Sequence, residues 1–444
     1  GGGGALETLT RLWLLGDPVP RVAAARALPG LVDRLLAAEA LGRDGDEVRA
    51  RLDLRPLALG DRERWVVADR RRFLDGTAAA PQPDHVVGPS AAATSLTQLT
   101  VRRPAGRALD LGTGCGIQAL LARDHCDEVV ATDVNARALR LAAINAALDD
   151  TILDLRRGDL FDPVAGERFD LVVSNPPFVV GPAGGGDIVY RDSGLPGDEV
   201  VRRVVVGAAR HLAPGGVAQV LGNWAHVVGE PWEERLRGWL DQAGVGLDAW
   251  VVQREVADPA TYVELWLRDA GLRSGPAYLR RYDEWLAWFE EQRVTGVGMG
   301  WIVLRRTDRE QPQLRLEDWP HPVEQPLGTE VADWLDRADR LAVTDDDTVL
   351  RTAWVLRPDV QEETLGAPGR ADPSVIVLRQ QRGMRRARRL DTVQAALVGA
   401  CDGELSAGVI LEAVGSLLDV PVEPREHVAT IRELVAEGYL TPPR

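Results

Sequence analysis

Polar and apolar positions along the chain fall into three textures. Leu12, Leu14 and Leu15 open an apolar stretch, and Val22–Leu28 and Leu31–Leu41 repeat apolar residues at helical spacing. Val48–Leu59 and Trp65–Ala68 then read as two strands around the turn Gly60–Asp61. Helices followed by a β-hairpin predict a winged-helix-like module over residues 1–85. Such modules bind nucleic acid or protein, or only pack on a neighbour, and packing is the role expected here.

From residue 86 to 307, strand and helix patterns alternate. Strands are expected at Arg107–Leu111, Glu128–Thr132, Leu153–Arg157, Phe169–Ser174, Val217–Leu221, Leu247–Val256 and Gly300–Arg306. Helices are expected from Ile117 to Arg123, Ala136–Leu148 and Asp198–Leu212, with an aromatic-rich helical insertion near 260–292. This alternation implies an α/β fold with a doubly wound, Rossmann-like parallel sheet. Residues 308–444 mix proline-rich segments with short α and β pieces and end in three helices and a short tail. They are expected to form a C-terminal α+β module closing in a second winged-helix-like unit.

Composition removes several chemistries. All 52 basic residues are arginine, so no lysine is present for a P-loop, a kinase strand or a Schiff base. Cys115, Cys126 and Cys401 are odd in number and far apart, and the six histidines lack metal-ligand spacing. Neither a disulfide framework nor a metal site is expected. No apolar run approaches the roughly 18–20 residues of a membrane span, so a soluble, cytoplasmic protein without membrane contact is expected. A net charge of -15 disfavours non-specific nucleic-acid binding. Only four asparagines occur, at 135, 145, 175 and 223, all within one stretch of about ninety residues.

That stretch holds the candidate chemistry. Asp110-Leu-Gly112-Thr113-Gly114-Cys115-Gly116 lies between a strand and a helix, where glycines let a ligand approach the backbone and a helix N-terminus offers N–H donors. Asp133 ends the next strand and is placed to accept both hydroxyls of a ribose. The pair fits NAD, FAD or S-adenosylmethionine, and the GxGxG spacing departs from the dinucleotide pattern GxGxxG. After the third strand, Asp159 and Leu160 could frame an adenine. Ser174-Asn175-Pro176-Pro177-Phe178 decides the reading. Two prolines stiffen the backbone and remove two N–H donors, the Asn175 side-chain oxygen accepts, and Phe178 offers a flat face. Together they describe a clamp for a planar group bearing NH2.

With these motifs, residues 86–307 resemble the class I S-adenosylmethionine-dependent methyltransferases that modify planar amino groups. The release-factor glutamine methyltransferases and small-domain nucleobase methyltransferases look most similar. The resemblance implies that Gly112–Gly116 line the methionine portion, Asp133 the ribose, and Asp159 with Leu160 the adenine. It also implies that Asn175 touches both cofactor and acceptor. Phe178 stands where the glutamine enzymes usually carry tyrosine. The implied activity is N-methylation of a protein glutamine or asparagine amide. Two alternatives stay open: an exocyclic amine of adenine or guanine in RNA or DNA, and an inactive cofactor-binding interaction module.

Other signals are weaker. The Arg379–Arg389 run is the densest basic stretch and could grip RNA, but is expected to be a solvated helix face paired with acids. The tryptophans of the insertion (Trp266, Trp285 and Trp288) are expected in the core. Tyr190, Arg191 and Asp192, after the stretch Gly181–Gly186, suit a lid or an ordinary surface loop.

Overall fold

The computed structural model describes residues 4–70, 83–183, 194–368 and 373–443. The Tyr190–Asp192 segment and most of the glycine stretch before it lie outside the described residues. The chain forms two compact units, 1–320 and 321–444.

The first unit is organised by an eight-stranded sheet. Its strands are β1 (Ala105–Leu111), β2 (Cys126–Asp133), β3 (Asp154–Arg157), β4 (Phe169–Ser174), β5 (Leu212–Val227), β6 (Leu247–Ala257), β7 (Val294–Arg306) and β8 (Leu314–Asp318). Their spatial order is β3-β2-β1-β4-β5-β7-β6-β8. The first five are mutually parallel, and β7 runs antiparallel to both β5 and β6. The order reverses between β1 and β4, and ligands of open α/β sheets bind beyond the carboxyl ends of strands at such a switch point.

The helices are α1 (Ala91–Leu99), α2 (Ile117–Ala122), α3 (Ala136–Leu148), α4 (Glu199–His211), α5 (Trp232–Gln242), α6 (Pro259–Asp269) and α7 (Pro276–Glu291). In α4 the residues Val200, Val201, Val204 and Val205 recur at helical spacing and bury one stripe against Leu109, Val172 and Val220 of the sheet. Helices α2 and α3 share a second core with Val66 and Val67. Those valines belong to the N-terminal hairpin Leu52–Leu59/Arg62–Asp69, so this hairpin packs on the Rossmann-like layer as expected. Arg64, buried at 2 % exposure, ion-pairs there with Asp124 and Asp149.

Several expectations for this unit change. Val48–Leu59 is two strands, because Glu47–Ala50 pairs with Val19–Pro20 and Leu41–Asp44 while Leu52–Leu59 pairs with Arg62–Asp69. Leu31–Leu41 is only a short helix, Val32–Ala37, before the strand Leu41–Asp44. Strand β7 begins at Val294 rather than Gly300. Its Thr-Gly-Val-Gly-Met-Gly start reads as a loop, yet Gly298 and Gly300 are required by close approach. A Cβ on Gly298 would lie 2.4 Å from Trp224 Nε1, and one on Gly300 would lie 1.9 Å from the Val252 carbonyl oxygen. The sheet also runs past residue 307, because β8 pairs with β6. Helices α1 and α5 carry no expectation from the sequence reading.

The second unit has a three-stranded antiparallel sheet, Val360–Leu365, Val375–Gln380 and Ala387–Leu390, and its own core around Trp354, Leu378, Leu411 and Tyr439. Its final helices are Thr392–Gly399, Ala407–Leu418 and Val428–Ala436. The Arg379–Arg389 run is therefore a strand, a turn and a strand, not a helix face. Its acids are real partners all the same: Arg379 meets Glu363 at 2.6 Å, and Arg388 meets Glu433 and Glu437. Arg386 is buried. No helix among the described residues is long and apolar enough to cross a membrane.

Candidate active site

A cavity of about 690 Å³ opens beyond the carboxyl ends of β1, β2, β3 and β4, at the switch point. It gathers Asp110, Gly112, Thr113, Gly114, Cys115, Asp133, Asp159, Leu160, Asn175, Pro176, Pro177 and Phe178 in its lining. Of the glycine-loop, ribose-acid, adenine and clamp residues, Gly116 alone is not among the lining residues. It caps α2 with φ +91°, and a Cβ there would lie 3.2 Å from Ala142 Cβ. The close approach to Ala142 packs the end of the loop on α3.

The glycine loop is held by its own carboxylates. Asp110 Oδ2 accepts from Thr113 Oγ1 at 2.6 Å and from the Ala119 N–H at 2.9 Å, tying the loop to the first turn of α2. Full burial pushes its carboxyl up to about 7, against these two hydrogen bonds. Gly112 and Gly114 have φ of +73° and +55°, a region natural only to glycine, and a Cβ on either would project into open space. The Asp133 oxygens accept from Gly114 N–H at 2.9 Å and Asn135 N–H at 2.8 Å, and burial raises its carboxyl above the usual range. Each oxygen keeps a second lone pair for a ligand hydroxyl. The Cys115 thiol, pushed up to about 12 by burial, is a small apolar filler and not a nucleophile. Leu160 sits at φ +42°, strained backbone beside the cavity at the end of β3.

The opposite wall is built on the proline segment. Ser174 Oγ donates to the Leu111 carbonyl at 2.9 Å, locking the end of β4 to that of β1. The next residue, Asn175, carries a buried Oδ1 with no hydrogen-bond partner among the described residues. A buried acceptor left alone costs about 1–3 kcal/mol, so its retention in a cavity wall points to a donor that arrives with a ligand. Beyond it, the Phe178 ring meets Trp266 of α6 edge-on, centroids 6.1 Å apart, and both line the cavity. Trp285 is core, as expected, and Trp266 and Trp288 pack half-buried against the same cluster. Trp266 also lines the cavity, so the insertion supplies part of its wall.

Two asparagines that had no chemical reason in the sequence acquire one. Asn223 of β5 donates to the Tyr262 hydroxyl at 2.9 Å, and the same oxygen accepts from Val180 N–H at 2.9 Å, pinning the backbone just after Phe178. Asn145 exchanges two hydrogen bonds with Val67 of the hairpin and donates to the Cys115 carbonyl at 2.8 Å, so the hairpin buttresses the glycine loop. Asn135 caps α3 by accepting from Arg137 N–H and donates to the Asp84 carbonyl. Apart from the local cap on α3, none of these partners is visible in a linear pattern, though scarcity alone marked all four positions.

A family model described as the methyltransferase small domain matches residues 90–228. That segment is a methyltransferase small domain. With the strand order above it is of the class I kind, whose methyl donor is S-adenosylmethionine. Residues 1–51 match a domain of unknown function (DUF7059). The ribosomal protein uL3 glutamine methyltransferase of Bradyrhizobium diazoefficiens is 37% identical over 149 residues, 30% of this chain and 46% of that protein. A release factor glutamine methyltransferase of Xylella fastidiosa is 36% identical over 172 residues, 35% and 58% of the two chains. The ribosomal RNA small subunit methyltransferase C of Pasteurella multocida is 33% identical over 133 residues, 29% and 37%. The chain spans about half the length of the curated relatives it matches first. The residues present fit the cofactor: an open glycine cradle, a carboxylate with spare lone pairs and an orphaned amide oxygen share one cavity.

Proposed function

We propose that this chain is an S-adenosylmethionine-dependent N-methyltransferase acting on a planar NH2 group, that of a glutamine or asparagine side chain in a protein. The observation that carries the reading is the buried, unpartnered Asn175 Oδ1 on the wall between the glycine loop and Phe178. Gly112–Gly114 and Asp133 would hold the cofactor's methionine and ribose portions, with Asp159 and Leu160 about the adenine. When bound, the cofactor supplies an electrophilic methyl group.

The chain's residues do the rest by position. Asn175 Oδ1 accepts one N–H of the acceptor amide and orients its nitrogen. Pro176 and Pro177 offer no competing N–H and hold that oxygen in place. Phe178 packs on the flat face, with Trp266 beside it. An amide is a poor nucleophile, and holding it near the methyl carbon can contribute ~7–11 kcal/mol in favourable cases. As positive charge develops on nitrogen, Asn175 Oδ1 becomes a stronger partner, so it favours the transition state over the ground state.

Three points support a protein acceptor over RNA or DNA. The chain is acidic, the arginines at 379 and 388 are engaged by neighbouring glutamates, and the two glutamine methyltransferases named above act on proteins. The names of those relatives, which point to a release factor and a ribosomal protein, support a cytoplasmic enzyme. Tritiated cofactor incubated with the protein and a host lysate tests the choice. Label lost to protease and resistant to RNase is the expected result. The reverse assigns a nucleobase acceptor, and no label in any fraction assigns an inactive cofactor-binding module.

A further inference from the structure

Two side-chain oxygens of cavity-lining residues are buried without a partner among the described residues: Asn175 Oδ1 and Gln118 Oε1. The acceptor clamp accounts for the first and leaves the second unexplained. Gln118 is the second residue of α2, whose other five residues are apolar and buried, and it is itself only 6 % exposed. Its Nε2 donates to the Ala93 carbonyl of α1 at 2.9 Å. That bond decides which end of the amide is oxygen, because a flip would set Oε1 against a carbonyl. An apolar side chain would fill the position without leaving an acceptor unsatisfied.

We propose that Gln118 binds the amino-acid end of the cofactor, its Oε1 accepting a hydrogen bond from the α-ammonium group. The inference rests on the S-adenosylmethionine reading above. That molecule offers donors in three places: the adenine amine, the ribose hydroxyls and the ammonium. The first two are matched by Asp159 and Asp133, at the ends of β3 and β2, whereas Gln118 is bonded to α1. The ammonium is the donor left for it. The neighbouring charge agrees. Ser90 caps α1, its hydroxyl accepting from Ala93 N–H at 3.1 Å, and Ser90, Ala91 and Ala92 line the cavity. The positive end of that helix borders the same wall and favours the carboxylate of the amino acid. The ammonium then falls to the oxygen beside it.

The test compares two ligands that differ only at that end. S-adenosylhomocysteine carries the amino acid, and 5′-methylthioadenosine keeps the nucleoside and thioether without it. Calorimetric titration of the full chain is run on the wild type, Gln118→Leu and Gln118→Glu. Gln118→Leu is expected to weaken S-adenosylhomocysteine about tenfold while leaving 5′-methylthioadenosine within about twofold. The unchanged second ligand also shows that the variant is folded. Gln118→Glu keeps an acceptor but sets its second oxygen against the Ala93 carbonyl, so it is expected to bind S-adenosylhomocysteine more tightly than Gln118→Leu without exceeding the wild type. Equal S-adenosylhomocysteine affinity for the wild type and Gln118→Leu overturns the assignment. So does an equal loss for both ligands in both variants, which makes Gln118 a packing residue. A wild type that binds neither ligand fails at the cofactor reading itself, before Gln118 is reached.

Discussion

The two walls of the cavity handle their polar groups in opposite ways. On the glycine-loop wall, the Asp110 and Asp133 carboxylates already accept from the Thr113 hydroxyl and from the Gly114, Ala119 and Asn135 N–H groups, the Gln118 amide oxygen on α2 being the exception. On the proline wall, Asn175 Oδ1 is buried and has no partner among the described residues. The first wall is therefore shaped before any ligand arrives, and its carboxylates serve the fold as much as the ligand. The second keeps one acceptor unspent, at a cost to stability, where an incoming N–H can recover it. Stability and function should thus separate by wall: loop substitutions lower both, and clamp substitutions lower activity alone.

The sharpest break would come from Asn175→Ala. It is expected to cut methyl transfer by roughly 10²–10³-fold while the melting temperature holds or rises, because an orphaned buried acceptor is removed. A melting point that falls along with activity would erase the contrast. Next in size, Asp133→Ala should weaken S-adenosylhomocysteine by roughly 10–100-fold, the range of a hydrogen bond to a charged group. It should also loosen the loop, since Gly114 and Asn135 lose their shared acceptor; calorimetry and hydrogen exchange at those amides read the two effects.

Tyr262→Phe leaves the Asn223 amide and Val180 N–H without their acceptor and should destabilise by about 1–3 kcal/mol in denaturant unfolding. Turnover should fall several-fold with cofactor affinity unchanged, since the defect is confined to the proline wall. The pH dependence is smaller but signed. Asp110 titrates near 7 in the fold against 3.8 as a free side chain. It therefore binds its proton more tightly when folded, and its contribution to stability is full below about 4 and lost as pH rises through 7. The stability of the wild type relative to Asp110→Asn should decline across that window, and a flat or rising difference would contradict the buried-carboxyl assignment. The smallest effect is expected outside the first unit: Arg385→Glu, on the exposed turn of the arginine hairpin, should leave acceptor labelling unchanged within about twofold. A large, salt-dependent loss would instead bring phosphate recognition back.

How much of this was legible follows from which contacts are local. β4 and α3 were read to the residue because Phe169–Ser174 and Ala136–Leu148 carry their own strand and helix periodicity. The loop and clamp were legible because glycines, prolines and the acids beside them act through their own backbone. The start of β7 was not, because its glycines answer to Trp224 and Val252 on neighbouring strands. Gln118 could have been flagged as a lone polar residue in an apolar helix, and Trp266 could not, since the same spacing serves a core.

The sequence by itself determined the Rossmann-like sheet, the place of the glycine loop and the chemical character of the clamp, since those depend on periodicity and on intrinsic backbone and side-chain properties. Only the tertiary structure showed that Gly116 packs against Ala142 of α3. It alone showed that the arginine run is a hairpin whose Arg379 and Arg388 pair with glutamates, and that Asn145 and Asn223 hold the two walls in place. Each of those outcomes rests on a partner at least 16 residues away along the chain, brought close only when the sheet and its helices assemble.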